Sequence, residues 1–434
     1  MEKVINKSNI FKYLTVLICL INLHKTVIGI KLSRNNAIYD PDLFNYYEPV
    51  SKNFLGTYFV ADPTLTSLSA QVTPLFPLFL RVFTNRSAGL FAYSLLSITI
   101  LLLTYKISEK LFTKNIAIIS VLVLSIEPSF YASSLNLSPE LLFTFVIILG
   151  VFFLLYKPIP LKYLNTLIFC IAIGFSVLIR PIALFLVIPF FIFWILKFIS
   201  DKSYIKLGYA VITIIPALFW SFRNYVAHGF FNVSSISAHN LLWYEGVPAL
   251  SEEKRISFEE ATSIESNLRN QFIGNNPDVY STYVYNNDRG LELILNHPIG
   301  WAFSHLKGLA KLVFGVFKSK YEVIISSVYK IESQSFNRII YLFLGVIIFL
   351  IWVVFFYGLK SAFLKDKISA CILLSIIVLL LIPASGHVAY ARFRVPVSPL
   401  LCIFMGYGIQ EFIKSKHLDK LRISLGQSNG VIRS

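Results

Sequence analysis

The sequence predicts an all-α integral membrane protein of about ten transmembrane helices, with two large extracytoplasmic segments that carry surface helices. Three observations lead there. Of 434 residues, 56% are hydrophobic and only 14% are charged, which is too little charge to cover a soluble surface. Apolar runs recur from end to end, and the longest reach the ~20 residues that cross a bilayer as a helix. The alternating pattern of a membrane barrel is missing, and in lipid the backbone must otherwise satisfy itself within helices.

The expected spans follow in order. The first runs from Phe11 to Ile30, with His24 and Lys25 in its outer half. A polar stretch continues to about Ser87. Then come Ser87–Tyr105, Asn115–Tyr131, Pro139–Tyr156, Tyr163–Ile179, Pro181–Lys197 and Ile205–Phe222. A long polar segment fills Arg223 to Arg338, and Ile339–Tyr357, Ile368–Pro383 and Val395–Ile413 complete the set before a basic tail. Three parts result: an N-terminal transmembrane module over 1–222, an extracytoplasmic segment over 223–338, and C-terminal helices with the tail over 339–434.

Lysine sets the orientation. Lys3, Lys7 and Lys12, then Lys106, Lys110 and Lys114, Lys157 and Lys162, Lys197, Lys202 and Lys206, Lys360, Lys365 and Lys367, and Lys414, Lys416 and Lys420 all fall on one side if the spans alternate. That side is the cytoplasm. Lys31, Arg34 and Lys52 in the first outer loop run against the trend. The net charge of +16 therefore reads as loop lysine in a cell-membrane protein and not as a nucleic-acid surface. The first apolar run is followed by no small-residue cleavage site, so it reads as a span and not a cleaved signal. Trp301 to Phe317 is apolar but holds His305, Lys307 and Lys311, and reads as an amphipathic helix lying on the outer surface. The four cysteines sit inside apolar runs and suggest neither a disulfide nor a metal site; no metal and no cofactor is expected.

The outer segments are where chemistry would sit, because long polar connections usually carry function. In the first, Asp40 before Pro41 makes a good helix start, with a cap residue and then proline. Asp42 is left without that structural duty, and Tyr46 shares its helical face four residues on. An acid in a first turn is also simply favoured by the helix dipole. Thr73-Pro74-Leu75-Phe76-Pro77 suggests either a helix at the membrane surface or a proline-bounded entry into the next span. Ser138-Pro139-Glu140 forms another helix start, with Glu140 where an ionisable group near lipid is costly. Arg180, Arg223, Arg392 and Arg394 map to outer ends of spans, against the lysine bias. Interfacial snorkelling is one account of them. Recognition of a lipid phosphate by the planar guanidinium fork is the other.

The order of these motifs resembles the GT-C superfamily of membrane glycosyltransferases, in particular bacterial relatives of the protein O-mannosyltransferases and of the lipid A aminoarabinose transferase. The residues that carry the resemblance are Asp42 and Tyr46 with Gly56, the Thr73–Pro77 stretch, Glu140, Leu178-Ile179-Arg180-Pro181, Trp220-Ser221-Phe222-Arg223-Asn224-Tyr225 and Ala391-Arg392-Phe393-Arg394-Val395-Pro396. Phe393 stands where the family usually has tyrosine. The first loop lacks the paired acids of the protein mannosyltransferases, and Pro49 interrupts its helix.

The resemblance implies an inverting glycosyl transfer from a polyprenyl-phosphate sugar to an acceptor hydroxyl of a glycan, lipid or protein, at the outer face of the cell membrane. It implies Asp42 and Glu140 as catalytic residues, and Tyr46, Arg180, Arg223, Arg392 and Arg394 as substrate-binding residues. Membrane lipids are the other expected partners. A transporter or flippase of a lipid-linked precursor is the competing class, and would place polar residues at mid-span in paired halves. A surface-polysaccharide polymerase or ligase is the third.

The lysine pattern makes a prediction about topology. A membrane-impermeant thiol reagent should label a cysteine placed at Asn267 and miss one at Ser369. The reverse pattern would overturn the orientation.

Overall fold

A computed structural model describes residues 7–34, 41–60, 66–83, 85–274, 277–315, 321–322, 325–326, 329 and 334–429. Among the described residues the chain is helical throughout and contains no strand. Asp40, read above as a helix cap, lies outside the described residues.

Ten apolar helices account for the expected spans. They are α1 (Lys7–Arg34), α5 (Arg86–Leu111), α6 (Lys114–Ile126), α8 (Pro139–Leu155), α9 (Lys162–Ser176), α10 (Leu184–Asp201), α11 (Tyr204–His228), α17 (Gln334–Lys365), α18 (Lys367–Leu381) and α19 (Ser398–Asn429). Six apolar stretches, in α1, α5, α10, α11, α17 and α19, are long enough to cross a bilayer by length and composition. The other four, of 13 to 17 residues, reach about 20–26 Å at 1.5 Å per residue. The chain is a multi-pass membrane protein.

Each of these helices packs on its neighbour in a closed circuit. The order is α10, α11, α9, α8, α5, α6, α19, α17, α18 and back to α10, with α1 outside α5 and α6. Without a hydrophobic driving force between helices in lipid, close packing matters most, and small residues permit it. Gly358 of α17 and Gly408 of α19 face each other's helix, and a Cβ at either would collide with the Phe404 or Val354 carbonyl.

One expected span is corrected. Asn115–Tyr131 is not a single helix: α6 stops at Ile126, and α7 (Pro128–Ser133) begins after Glu127. Pro128 has no N–H to continue the ladder and suits a first helical position. Glu127 caps the new helix, accepting from Phe130 N at 2.6 Å. The Thr73–Leu80 stretch is also more buried than a surface helix would be. Its helix α4 (Leu75–Arg81) buries Phe76 in the core. Leu75 N donates to Leu178 O at 2.9 Å and Thr73 Oγ1 donates to Ile179 O at 3.0 Å. Two separate sequence motifs are thereby joined.

Between α11 and α17 lies a helical segment: α12 (Ile236–Asn240), α13 (Val247–Lys254), α14 (Phe258–Ile273), α15 (Val279–Asn296) and α16 (Pro298–Phe314). It has its own small core of Leu242, Val247, Ala261 and Leu293. An ion pair between half-buried Arg289 and buried Glu265, at 2.7 and 2.9 Å, ties α15 to α14. Helix α16 covers the stretch read as a surface helix. It turns Gly300, Ser304, Gly308 and Leu312 to the protein and leaves Ile299, Phe303 and Leu306 exposed.

Arg394 locks this segment to the bundle. Its side chain is 3% exposed and Glu127's is 4% exposed. Nη1 donates to the Leu312 and Val313 carbonyls at 2.7 and 2.8 Å, and Nη2 donates to Glu127 Oε1 at 3.1 Å and Ser129 Oγ at 2.7 Å. Removing one partner of such a buried pair costs on the order of 3–5 kcal/mol, because the other charge is left uncompensated. Arg394→Ala should therefore sharply lower the folded yield and the thermal midpoint in detergent. Arg394→Lys should not restore them, since one ammonium cannot reach all four acceptors. Wild-type stability in Arg394→Ala would refute the lock.

Candidate active site

Helical backbone from Pro41 to Lys52 carries the first group of site residues. It is anchored by Glu48, whose carboxylate takes two bonds from Arg86 at 2.6 and 2.9 Å, while that guanidinium lies 4.1 Å from the Phe44 ring centre. The backbone widens to a π-helical turn over Leu43–Tyr47, just ahead of Pro49. Such wide turns are often found at functional sites. Here the turn brings both Tyr46 and Tyr47 onto the cavity side with Asp42. Tyr47 also packs edge-on against Phe76 at 4.8 Å. Burial, above all, pushes its phenol well above the ordinary value, so it remains a hydrogen-bond donor.

The cavity is about 580 Å³ and lies between the bundle and the helical segment 236–246. Asp42, Tyr46, Glu140, Arg180 and Arg392 all line it. These five residues are spread over 350 positions of sequence, and the structure brings them together.

Four of them form an alternating chain of charges. Asp42 Oδ2 accepts from Arg392 Nη1 at 2.7 Å. Arg392 Nε lies 3.8 Å from Glu140 Oε1, and Arg180 Nη1 donates to that same oxygen. Both guanidiniums sit over the Phe393 ring, 5.4 Å (Arg180) and 5.3 Å (Arg392) from its centre. Phenylalanine at this position thus holds two cations by its face, a role that needs no hydroxyl. The two acids differ in access: the Asp42 side chain is 38% exposed and Glu140 only 2%.

Arg223 and Arg394 do not reach the cavity. Arg223 donates to the carbonyls of Tyr58 at 2.8 Å and Ser69 at 3.1 Å, bracing the irregular backbone 56–60 against α3 (Thr66–Gln71) and α11. Arg394 is spent on the lock described above. The reason is geometric. Residues 391–397 form a 3₁₀-helix, and at three residues per turn positions two apart point in different directions. Arg392 therefore faces the cavity while Arg394 faces the interior.

The opposite wall is built from residues that no sequence motif marks. His239, Asn240, Tyr244 and Glu245 line the cavity from the end of α12 and the π-helical turn Leu241–Gly246. Burial and nearby Arg269 lower the His239 pKa, and burial raises that of Tyr244, so both are neutral hydrogen-bonding groups at pH 7. Among the described residues no group of three or more His, Cys, Asp or Glu side chains is arranged to hold a metal ion.

Residues 72–220 match the family described as dolichyl-phosphate-mannose-protein mannosyltransferase. The match takes in the Thr73–Pro77 stretch, Glu140 and Arg180, and leaves Asp42 and Arg392 outside it. No curated protein matches the sequence. Among solved structures, the chain is similar to the apo oligosaccharyltransferase of Archaeoglobus fulgidus at 14% identity and a TM-score of 0.46, over 95% of this chain and 52% of that one. It is also similar to ArnT from Cupriavidus metallidurans, solved with undecaprenyl phosphate, at 13% identity and a TM-score of 0.36, over 91% of this chain and 77% of that one. The chain thus spans about half the length of the archaeal enzyme. The resemblance to GT-C membrane glycosyltransferases seen in the sequence stands on the family match over residues 72–220.

Proposed function

We propose that the chain is an inverting glycosyltransferase that moves a sugar from a polyprenyl-phosphate donor to an acceptor hydroxyl, with its cavity at the outer face of the cell membrane. The observation that carries this reading is the charge chain Asp42–Arg392–Glu140–Arg180 in one cavity. It supplies a carboxylate open to substrate beside guanidiniums suited to a phosphate.

The roles follow from access. Asp42 is open enough to take a proton from an acceptor hydroxyl. Glu140 is enclosed and holds the two guanidiniums in place. A donor phosphate presents negative charge to Arg180 and Arg392, and Arg392 exchanges its Asp42 partner for it. The acceptor oxygen attacks the anomeric carbon, the bond from that carbon to the phosphate oxygen breaks, and its electrons leave on the phosphate. The proton passes to Asp42, and the arginines meet the charge that develops on the leaving group. The products are a new glycoside of inverted configuration and free polyprenyl phosphate. Tyr46 and Tyr47 border the space where the acceptor enters. The reading retains the three-part division at 1–222, 223–338 and 339–434, with the cavity drawing residues from each.

Two predictions test these roles, both measured as transfer from a polyprenyl-phosphate sugar in membranes with protein levels matched. Asp42→Asn should lose at least about 10²-fold in rate, as expected for a general base, while Asp40→Asn should do much less. If both variants keep near-normal rates, the base is not in this loop. Arg392→Lys should also be strongly impaired although the charge is kept, because an ammonium cannot present a phosphate with a planar fork of N–H donors. Near-normal turnover there would make Arg392 an interfacial anchor. No free polyprenyl phosphate from the wild type would count against transfer itself and favour a transporter.

A further inference from the structure

Glu245 is a second carboxylate facing the cavity, across from Asp42. Its Oε2 is fixed by the Trp301 indole, which donates at 3.0 Å, and by His305 Nε2. His305 is held in turn by Ser385 Oγ, 3.0 Å from its Nδ1. The other oxygen, Oε1, lies against Gly386, where a Cβ would collide with it. Among the described residues Oε1 makes no hydrogen bond, and the side chain lines the cavity. Five residues earlier, Asn240 lines the same wall, and its Oδ1 is buried without a hydrogen-bond partner among the described residues.

The Glu245 oxygen open to the cavity is an acceptor, and an ionised carboxylate can only accept; the Asn240 oxygen is enclosed, and the residue lines the cavity beside it. The ligand that completes this wall must therefore bring hydrogen-bond donors. A phosphate would be repelled by Glu245. A lipid chain would leave that oxygen unsatisfied. A saccharide brings several hydroxyl donors and no charge. Tyr46, Tyr244 and Tyr390, which also line the cavity, offer flat apolar faces with polar tips of the kind a sugar ring lies against.

We propose that Glu245 and Asn240 form the acceptor subsite, and that the acceptor is a saccharide. Trp301 and His305 act through Glu245 as positioning residues, aiming its open oxygen. Gly386 leaves room for that oxygen. This proposal rests on the glycosyltransferase reading and narrows its acceptor from glycan, lipid or protein to glycan.

The test uses the full chain purified in detergent. Saturation-transfer NMR would screen a panel of methyl hexosides and methyl pentosides, a serine-containing blocked tripeptide, and undecaprenyl phosphate. At least one methyl glycoside should bind, and Glu245→Gln should weaken it by about tenfold or more, as expected for loss of a hydrogen bond to a charged group. Asn240→Ala should weaken the same glycoside, which keeps the test valid if one variant fails to fold. Thermal transitions matching the wild type would qualify each variant. Undecaprenyl phosphate should bind the wild type and both variants alike. Glycoside binding untouched by both substitutions overturns the subsite. Binding of the tripeptide but no glycoside overturns the saccharide assignment. Loss of glycoside binding alone, with undecaprenyl phosphate still bound by the wild type, sinks this proposal and spares the transferase; failure to bind undecaprenyl phosphate counts against the transferase itself.

Discussion

A polar group buried away from water must find a partner inside the protein. That constraint decides where the arginines go. The bundle is regular within its helices and irregular where they stop: at the Glu127–Pro128 break, in the 3₁₀-helix 391–397, and along 56–60. Several carbonyls at these junctions, and Glu127 Oε1, take their hydrogen bonds from outside their own elements. Arg394 and Arg223 supply the missing donors through several N–H groups each. A lysine carries fewer donors on a more strongly hydrated head.

The cavity depends on those junctions. Arg394 fixes the 3₁₀-helix by bonding across to Glu127 and to the end of α16. With that backbone fixed, Arg392 is turned toward Asp42. The turn at Leu178–Arg180 is fixed on its other side by Leu75 and Thr73, and this turns Arg180 toward Glu140. The arginines that line the cavity are thus held in place by residues that lie outside it. Changes at Arg223 or Arg394 would disturb the site through the scaffold, which is why an activity assay alone cannot assign them to phosphate.

Much of this was legible in the sequence. Apolar runs of near-spanning length mark the helices of the bundle, because lipid imposes a simple length and composition rule. Asp42, Tyr46, Glu140, Arg180 and Arg392 stood out as ionisable or polar residues at helix starts and span ends, and the cavity collects all five. Glu127 was passed over because it sits inside an apolar run, although the proline after it marked a break. Arg394 and Arg223 were grouped with Arg392 because residue type and position in the chain do not reveal which way a side chain turns. Only the three-residue period of 391–397 separates Arg392 from Arg394. Glu245 and Asn240 left no trace, since they lie in a polar segment rich in similar residues and acquire their place only through packing against α16 and Gly386.

Asp42 and Glu140 place the same chemical group in two different environments. Both are carboxylates, both contact Arg392, and both border the cavity. Glu140 is almost wholly enclosed, and Arg180 and Arg392 converge on the same oxygen. A group so placed is a poor proton acceptor for an incoming hydroxyl, since substrate cannot reach it without displacing the guanidiniums. It is well suited to fix two cations close together despite their mutual repulsion, and the Phe393 face helps from the other side. Asp42 accepts from Arg392 and is much more accessible. A phosphate that draws on Arg392 would weaken that bond at the moment the acceptor arrives. Donor binding and exposure of the base would then be coupled through a single arginine, and a carboxylate buried as deeply as Glu140 could not take part in that exchange.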